Sequence, residues 1–299
     1  MECTSRTTAH KSEEPAVAII GMACRAGGVN NLAELWHAVQ TQAVHTEAVK
    51  DVQWLEFFQQ YCPDLGPLNY GAMQELEKFD AAFFNISTRE AEAMDAAQRV
   101  MLEQCYLAIE DSGYATELLR GKRVGTFIGS MGSTPSAADM SHHSMLGTET
   151  SVLAGRVAHF FDFSGPAVVV NTACSSSLVA VDMAFNKLLQ GQIDLALAGG
   201  ITIYTHPSAF VSMQRANMLS KSGACRPFDN AADGILVGDG AGIVMLKRLQ
   251  DALADKDDIY SVIRASGTNP DGRASALTPQ HFLAQSALIQ AVYRSAKIK

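Results

Sequence analysis

One cysteine in the sequence stands where a nucleophile would be made. Residues 167–178 read AVVVNTACSSSL, in which an apolar, β-branched run comes shortly before Cys174 and three serines follow it. We predict a strand that delivers the thiol to the first turn of a helix. The unpaired N–H groups and the positive end of that helix favour the thiolate over the thiol. The thiolate is the form that attacks an acyl carbon, so the pattern indicates covalent acyl transfer.

Taken alone, this pattern leaves a second interpretation open, because free cysteines are among the most buried residue types and are often structural. We expect the serines at 175–177 to satisfy the first N–H groups of the helix and to keep its start small. The adjacent His142 and His143 point apart on any regular element, which predicts a solvent-facing loop rather than a metal site. The run GDGAG at 238–242 lacks the lysine of a phosphate-binding loop. We expect its glycines, like those at 199–200, to allow close backbone packing.

Composition narrows the class of protein. The 299 residues are 47% apolar and 18% charged, as in a folded globular protein with one large domain or two small ones. The formal net charge of −8 disfavours nucleic acid as a partner. No apolar run is long enough for a membrane span, and residues 16–24 fit a buried first strand better than a signal peptide. Six scattered cysteines without a CxxC pair favour free thiols in a reducing, cytoplasmic compartment: Cys3, Cys24, Cys62, Cys105, Cys174 and Cys225.

The periodicity of apolar residues predicts strands that alternate with helices, which favours a layered α/β fold. A polar tail is expected at 1–14, and irregular structure at 41–78 and 129–149. On the helix after Cys174 the predicted core-facing stripe consists of Leu178, Val181, Phe185 and Leu188. Strands are predicted at 16–21, 123–130, 167–173, 193–204, 242–249 and 259–267. Helices are predicted at 32–40, after Ser87, near 150–158, from Cys174 to Gln190, between the last two strands, and from Phe282 onward.

Several blocks of the chain, in the same order, resemble one family. NTACSSSLVAVDMAF around Cys174 is similar to the active-site signature of β-ketoacyl synthases, especially the ketosynthase domains of modular polyketide synthases. The resemblance extends over nearly the whole chain from residue 16 onward. The other blocks are AVAIIGMACRAGGVNNLAELW (16–36), FDAAFFNISTREAEAMDAAQRVMLEQCYLAIEDSGY (79–114), DLALAGGITI (194–203), MLSKSGACRPFDNAADGILVGDGAGIVMLKRLQDALADKDDIY (218–260) and SGTNPDGRASALTPQ (266–280).

The resemblance implies a thiolase-like layered fold, αβαβα, built from two related halves. It implies that Cys174 accepts an acyl group from the phosphopantetheine arm of an acyl carrier protein. A malonyl-type thioester then loses carbon dioxide and attacks the acyl-cysteine in a decarboxylative Claisen condensation. The resemblance also implies a homodimer, with no cofactor or metal bound directly.

The family's condensation chemistry needs two histidine motifs from its C-terminal half, and neither occurs in these 299 residues. After Cys174 only His206 and His281 remain, and we expect both to be surface or capping residues. We therefore predict a polar tail at 1–14, an N-terminal ketosynthase half at 15–256, and the start of the C-terminal half at 257–299. The missing half would make the chain a fragment, a truncated gene product or one part of a split enzyme, and the first two are favoured.

Three local features differ from the family's pattern or add to it. Asn171 stands where the signature usually has aspartate, and Asp239 replaces the usual glutamate of the glycine-rich turn. Residues 50–78 lack an expected glycine-glycine-phenylalanine segment. The basic residues at 120, 122 and 123 are the best candidates for contact with an acidic carrier protein, although a solvated turn is the favoured interpretation.

Two other functions stay open. The chain could be a non-catalytic, degenerate half-domain that serves as a scaffold for dimer or carrier-protein contact. A thiolase-like enzyme or an acyltransferase is a weaker alternative, because the surrounding blocks are more similar to ketosynthases.

Overall fold

The computed structural model describes residues 15–63, 68–132, 142–272 and 281–298, with no side chains described for 142–144. The polar tail predicted at 1–14, which includes Cys3, lies outside the described residues. The strands are Val17–Ala26 (β1), Glu47–Ala48 (β2), Asn69–Gly71 (β3), Val124–Ser130 (β4), Ala167–Val170 (β5), Leu195–Thr202 (β6), Val237–Gly238 (β7), Gly240–Arg248 (β8) and Ser261–Ile263 (β9). The helices are Leu32–Thr41 (α1), Val52–Tyr61 (α2), Thr88–Ala93 (α3), Ala96–Asp111 (α4), His142–Thr148 (α5), Val152–Phe161 (α6), Ser176–Leu189 (α7), Ser208–Arg215 (α8), Leu249–Asp255 (α9) and Phe282–Ser295 (α10).

A six-stranded mixed sheet organises these elements, in the order β5-β4-β6-β8-β1-β9. Strands β5, β4 and β6 are parallel, and β8, β1 and β9 continue the sheet with antiparallel pairing. In the register of the parallel strands, Gly129 lies opposite Val170 on one side and Gly200 on the other. The carboxyl ends of three parallel strands therefore meet at one edge, which is where open α/β sheets place their ligands.

Helices cover both faces of the sheet. Neighbouring residues of a strand point to opposite faces, so each strand contributes apolar side chains to both. On one face, Ile128 and Leu197 pack in a core with α4 and α6. On the other face, Phe127, Ala196 and Ala198 pack against α7. The result is an αβα arrangement of three layers, so the predicted layered α/β class is confirmed.

The predicted apolar stripe on α7 is only partly right. Phe185 and Leu188 are buried, but Leu178 is 73% exposed. The row that packs on the sheet includes Ala180, Ala184 and Leu188, at intervals of four residues. The small side chains of Ala180 and Ala184 allow the helix axis to approach the sheet closely. The sequence prediction missed this row because it considered only large apolar residues.

The prediction of irregular structure at 41–78 was wrong. Helix α2 lies there, and its start is capped by Asp51, whose Oδ1 accepts the N–H of Trp54 at 2.9 Å. Strands β2, β3 and β7 form a small second sheet beside it. Trp54, Tyr70 and Phe210 then build an aromatic cluster, with ring centroids of Trp54 and Phe210 5.4 Å apart.

The helix predicted to follow Ser87 is in fact two helices. Ser87 Oγ accepts the N–H of Glu90 at 3.2 Å, as a capping serine does. The Glu90 carboxylate accepts a hydrogen bond from Arg156 at 2.6 Å instead of returning to Ser87. A second start follows at Asp95, whose Oδ1 accepts from Ala97 N and caps α4. The 129–149 segment is not all loop either, because α5 begins at His142; the side chains of His142 and His143 lie outside the described residues.

The last described part of the chain is attached to the sheet edge and exposes a long helix. Strand β9 pairs with β1, and the buried Lys247 of β8 contacts the Asp257 carboxylate at 2.7 Å. On α10, Phe282 is 78% and Leu283 is 67% exposed. The domain boundary expected after residue 256 stays a prediction. Throughout the described ranges, no helix combines the length and apolar content that a membrane crossing would require.

Candidate active site around Cys174

Cys174 lies in a tight turn between the end of β5 and the start of α7, with its side chain exposed. The residue before it, Ala173, has a φ of 55°, in the left-handed region that residues with a Cβ atom rarely adopt. Asn171 holds this turn, because its Oδ1 accepts the N–H of Ala173 at 3.1 Å. A carboxylate could accept the same hydrogen bond, so asparagine preserves this contact and removes one negative charge.

The serines after Cys174 stabilise the turn rather than the N-terminus of α7. Ser176 Oγ accepts the N–H of Thr172 at 2.9 Å and donates to the carbonyl of Ala173 at 2.6 Å. Ser175 donates to the carbonyl of Thr172 at 2.8 Å and makes no side-chain cap to α7. The predicted capping role is therefore wrong for these two residues. Their hydroxyls tie the residues that follow Cys174 to the backbone that precedes it.

Glycines in the neighbouring strands let the start of α7 approach the sheet. A Cβ on Gly129 would lie 2.4 Å from the backbone of Ser176 and Ser177. A Cβ on Gly200 would lie 2.8 Å from the side chain of Ser177, and one on Gly199 would lie 2.0 Å from a carbonyl oxygen of β8. The predicted close packing at 199–200 is confirmed, and a small residue at 177 is part of it.

The close backbone packing predicted for the glycine-rich turn at 238–242 holds for Gly238 and not for Gly240 or Gly242. A Cβ on Gly238 would be 3.1 Å from the Gly71 carbonyl, but Gly240 and Gly242 have nothing within 4 Å of that position. Both Gly240 and Gly242 line a cavity that also contains Cys174. Their missing side chains leave space in front of the thiol instead of permitting backbone contact.

The cavity at Cys174 has a volume of about 270 Å³. Its walls come from the carboxyl ends of β4 and β6, from the start of α7 and from β8. It is lined by Ser130, Met131 and Thr202 as well as by these glycines and Cys174. Its size and mixed polarity suit a small acyl group bound to the thiol.

Two further cavities lie near the first and are related to it by shared lining residues. Met131 and Thr202 also line a neighbouring space of about 220 Å³, together with Tyr204 and His206. Tyr204 in turn lines a larger space of about 460 Å³ on the side of the aromatic cluster. Burial raises the pKa of the Tyr204 phenol, and the nearby charges of Asp239 and Cys174 raise it further. Sequence patterns did not identify Tyr204, because its neighbours come from distant parts of the chain.

Asp239 is a buried carboxylate that connects the site with the aromatic cluster. Its Oδ1 accepts the N–H of Tyr204 and its Oδ2 accepts the N–H of Met73, each at 2.9 Å. Burial raises the pKa of Asp239, although hydrogen bonds from Tyr70, Met73 and Tyr204 oppose that effect. The sequence marked Asp239 only as a departure from glutamate, and its partners could not be read from the chain.

The two histidines after Cys174 have local structural roles, as predicted. His281 Nδ1 accepts the N–H of Ala284 at 3.1 Å and caps α10. His206 Nδ1 accepts the N–H of Ser208 at 3.2 Å at the start of α8, and its ring lies edge-on to Phe57. Within the described ranges, no histidine lines the cavity at Cys174.

The basic residues considered for carrier contact are not equivalent. Arg123 forms a two-point hydrogen bond to Asp194, at 3.0 Å and 2.6 Å, and also donates to the carbonyl of Gly191. It therefore ties β4 to the loop before β6. Arg120 and Lys122 are exposed.

The other described cysteines differ from Cys174 in their surroundings. Cys105 is fully buried in α4, and burial raises the pKa of its thiol. Cys225 is exposed but lies in the loop before β7, outside the lining of the Cys174 cavity. Across the described residues, no group of three or more histidine, cysteine, aspartate or glutamate side chains is arranged to hold a metal.

Comparison with known proteins shows the family to which the chain belongs. Residues 14–252 match the family described as "Beta-ketoacyl synthase, N-terminal domain". The chain belongs to the β-ketoacyl synthase family. Polyketide synthase PksL of Bacillus subtilis (strain 168) is 37% identical over 294 residues, 94% of this chain and 6% of that protein. Reducing polyketide synthase ppsB of Aspergillus oryzae is 41% identical over 295 residues, 94% of this chain and 12% of that protein.

Solved ketosynthases have the same fold as this chain. The ketosynthase from module 6 of the bacillaene synthase of Bacillus subtilis 168 matches with a TM-score of 0.86 and 36% identity, over 95% of this chain and 49% of that one. The oxazolomycin ketosynthase domain OzmH KS7 of Streptomyces albus JA3453 matches with a TM-score of 0.87 and 29% identity, over 96% and 52%. The fold is thus thiolase-like, and this ketosynthase chain spans about half the length of the solved ketosynthases it matches.

Proposed function

We propose that this ketosynthase chain accepts an acyl group on Cys174 from the phosphopantetheine thioester of an acyl carrier protein. One observation carries the proposal: an exposed thiol lies beside the N-terminus of α7 and lines a cavity at the edge where β4 and β6 end. The positive end of the helix macrodipole lies beside this sulfur. The family to which the chain belongs supplies the reaction class.

The acyl transfer needs one nucleophile and one leaving group. The Cys174 thiolate adds to the carbonyl carbon of the incoming thioester, and a new carbon–sulfur bond forms. The bond to the pantetheine sulfur then breaks, and the pantetheine thiolate takes up a proton from water. That proton balances the one that Cys174 released to water on ionisation, so no other reactant is consumed.

In a complete ketosynthase we propose that the acyl-cysteine is then extended. A malonyl-type thioester would lose carbon dioxide, and its carbanion would attack the acyl carbon on Cys174. Because the chain covers 49% and 52% of the two solved ketosynthases, we assign only the acyl-transfer half reaction to it. The groups for decarboxylation would come from the rest of the ketosynthase domain.

The partners follow from the same proposal. The phosphopantetheine arm is a substrate carrier rather than a resident cofactor. We further propose a homodimer in the cytoplasm, with residues 15–256 as the acyl-accepting half and 257–299 as the beginning of the second half. The scaffold alternative predicts that Cys174 is not acylated, so the mass of the chain distinguishes the two functions.

The test is intact-mass measurement after incubation with acetyl-pantetheine thioester. We expect one acetyl adduct on the wild-type chain and on Cys225→Ala, which removes another exposed thiol. Cys174→Ala should carry no adduct. An unmodified wild-type chain, or an adduct that persists in Cys174→Ala, would overturn the assignment and favour a scaffold.

A further inference from the structure

We propose that Tyr204 determines the length of the acyl group that Cys174 accepts, because it lines both the space next to the Cys174 cavity and a larger aromatic cavity beyond it. This inference rests on the proposed acyl transfer to Cys174. The sequence motifs do not predict this role for Tyr204 in specificity.

The first step is that neighbouring cavities share lining residues. The space at Cys174 shares Met131 and Thr202 with the next space, and that space shares Tyr204 with the third. With this arrangement, an acyl chain that leaves the thiol past Thr202 would meet Tyr204 before it entered the third cavity. The third cavity, at about 460 Å³, is larger than the first at about 270 Å³.

The third cavity has a polar and an apolar part. Charged residues such as Glu47, Lys50 and Asp51 line it, and Trp54, Tyr70, Met73 and Leu76 supply apolar walls against which an acyl chain could lie. Burying the methylenes of a chain against these apolar walls stabilises the complex. The cavity thus offers a favourable place for a longer acyl group, provided that the ring of Tyr204 does not block the way.

The position of Tyr204 is fixed from several sides. Its N–H donates to Asp239 Oδ1 at 2.9 Å, and its ring packs on Phe210 with centroids 5.0 Å apart. The ring of Tyr70 lies edge-on at 6.2 Å. A half-buried ring held in this way does not move aside easily. A role in packing alone would also explain these contacts, so the test must separate packing from specificity.

The ratio of two acylation rates distinguishes a role of Tyr204 in specificity from a role in packing. We compare dodecanoyl- with butyryl-pantetheine thioester and follow the mass of acyl-Cys174 with time. In Tyr204→Ala we expect the dodecanoyl-to-butyryl ratio to rise about tenfold or more. Tyr204→Phe keeps the ring and should keep the wild-type ratio. Tyr293→Ala, a matched truncation on the exposed helix α10, should leave both rates unchanged.

Two further measurements keep the proposal falsifiable. If Tyr204→Ala does not fold, Tyr204→Leu supplies the same comparison with an apolar side chain against Phe210. In a Trp36→Phe background, fluorescence reports on Trp54 in the third cavity. We expect a dodecanoyl group on Cys174 to change that emission in the Tyr204 variant and not in the chain with Tyr204.

The outcomes are distinct. An unchanged rate ratio or an unchanged Trp54 emission in a folded Tyr204 variant would overturn the inference and leave acyl transfer intact. A wild-type chain that accepts neither thioester on Cys174 would overturn the proposed function, and the specificity role would fall with it.

Discussion

The turn that carries Cys174 and the clamp made by Asp239 are held together in different ways. In the turn, Asn171, Ser175 and Ser176 make hydrogen bonds to residues two to four positions away. Asp239 instead joins Met73 and Tyr204, which are 166 and 35 positions away in the chain. The first region is built from one short segment, and the second is built from three distant ones.

This difference separates two properties of the site. The local turn places the nucleophile, so its position depends on a few adjacent residues and on the glycines beneath them. The clamp shapes the space where an acyl chain would extend. Damage to the turn should therefore remove acylation as a whole, whereas damage to the clamp should change which acyl groups are accepted.

The largest effect is expected from Gly129→Ala, which attacks the support of the turn. The new Cβ would lie 2.4 Å from the backbone of Ser176 and Ser177, and backbone cannot move aside as a side chain can. We expect a loss of about 3 kcal/mol or more in the free energy of unfolding, measured with urea. Any folded fraction should have little acylation of Cys174.

Gly155→Ala is the matched control for that substitution. A Cβ on Gly155 meets nothing within 4 Å, and the residue lies within helix α6. Alanine there should raise the free energy of unfolding by about 0.5–1 kcal/mol. Equal stability of the two variants would contradict the view that close packing under α7 positions the thiol.

The next effect tests the clamp, through Asp239→Asn. Asparagine offers one acceptor oxygen where the carboxylate offers two, so the N–H of Met73 or Tyr204 loses its partner. An unsatisfied buried N–H costs about 1–3 kcal/mol. We expect urea unfolding to show that loss and the acylation of Cys174 to persist with an altered preference for chain length. Asp233→Asn, at an exposed carboxylate that also accepts a backbone N–H, should change stability less.

The pH dependence of stability sharpens the same comparison. Because burial raises the pKa of Asp239, the folded chain holds its proton at pH values where the unfolded chain has lost it. Asp239 therefore adds stability as the pH falls from its raised pKa toward the usual aspartate value of about 3.9. The stability deficit of Asp239→Asn should widen as the pH falls through that window. A constant deficit between acidic and neutral pH would show that folding does not raise the pKa of Asp239.

The smallest effect is expected at Asn171, within the turn. In Asn171→Asp a carboxylate oxygen can still accept the N–H of Ala173, so the turn keeps its geometry. We expect a change in the free energy of unfolding within about 0.5 kcal/mol. The acylation rate of Cys174 should stay within about twofold, because the hydrogen bond that holds the turn is kept. A tenfold loss would mean that the charge at 171 matters more than the hydrogen bond.

The same distinction between local and distant contacts explains which parts of the fold the sequence predicts. Strands β4, β6 and β8 and helices α1 and α7 were predicted close to their observed ends, because their apolar patterns are local. The stripe on α7 was misassigned at Leu178, since contact with the sheet is made by small residues that a search for large apolar side chains passes over. Helix α2 was missed because its inward-facing residues, Trp54, Phe57 and Phe58, pack on aromatic residues from distant segments.

The site divides in the same way. Cys174 was predicted from its own neighbours in the chain, and the structure places it at an exposed strand–helix turn. Tyr204 was not predicted, and Arg123 was considered for carrier contact although it pairs with Asp194, 71 positions away. These contacts exist only after folding, and no local pattern in the chain encodes them.

The most direct test of the account compares two exposed thiols in one reaction. Cys174 and Cys225 are both exposed, but only Cys174 lies at the helix start and lines the cavity. A peptide map after brief exposure to limiting acetyl-pantetheine thioester should find the acetyl group on Cys174 and almost none on Cys225. Equal modification of Cys174 and Cys225, or preference for Cys225, would contradict the claim that the turn makes Cys174 the acyl acceptor.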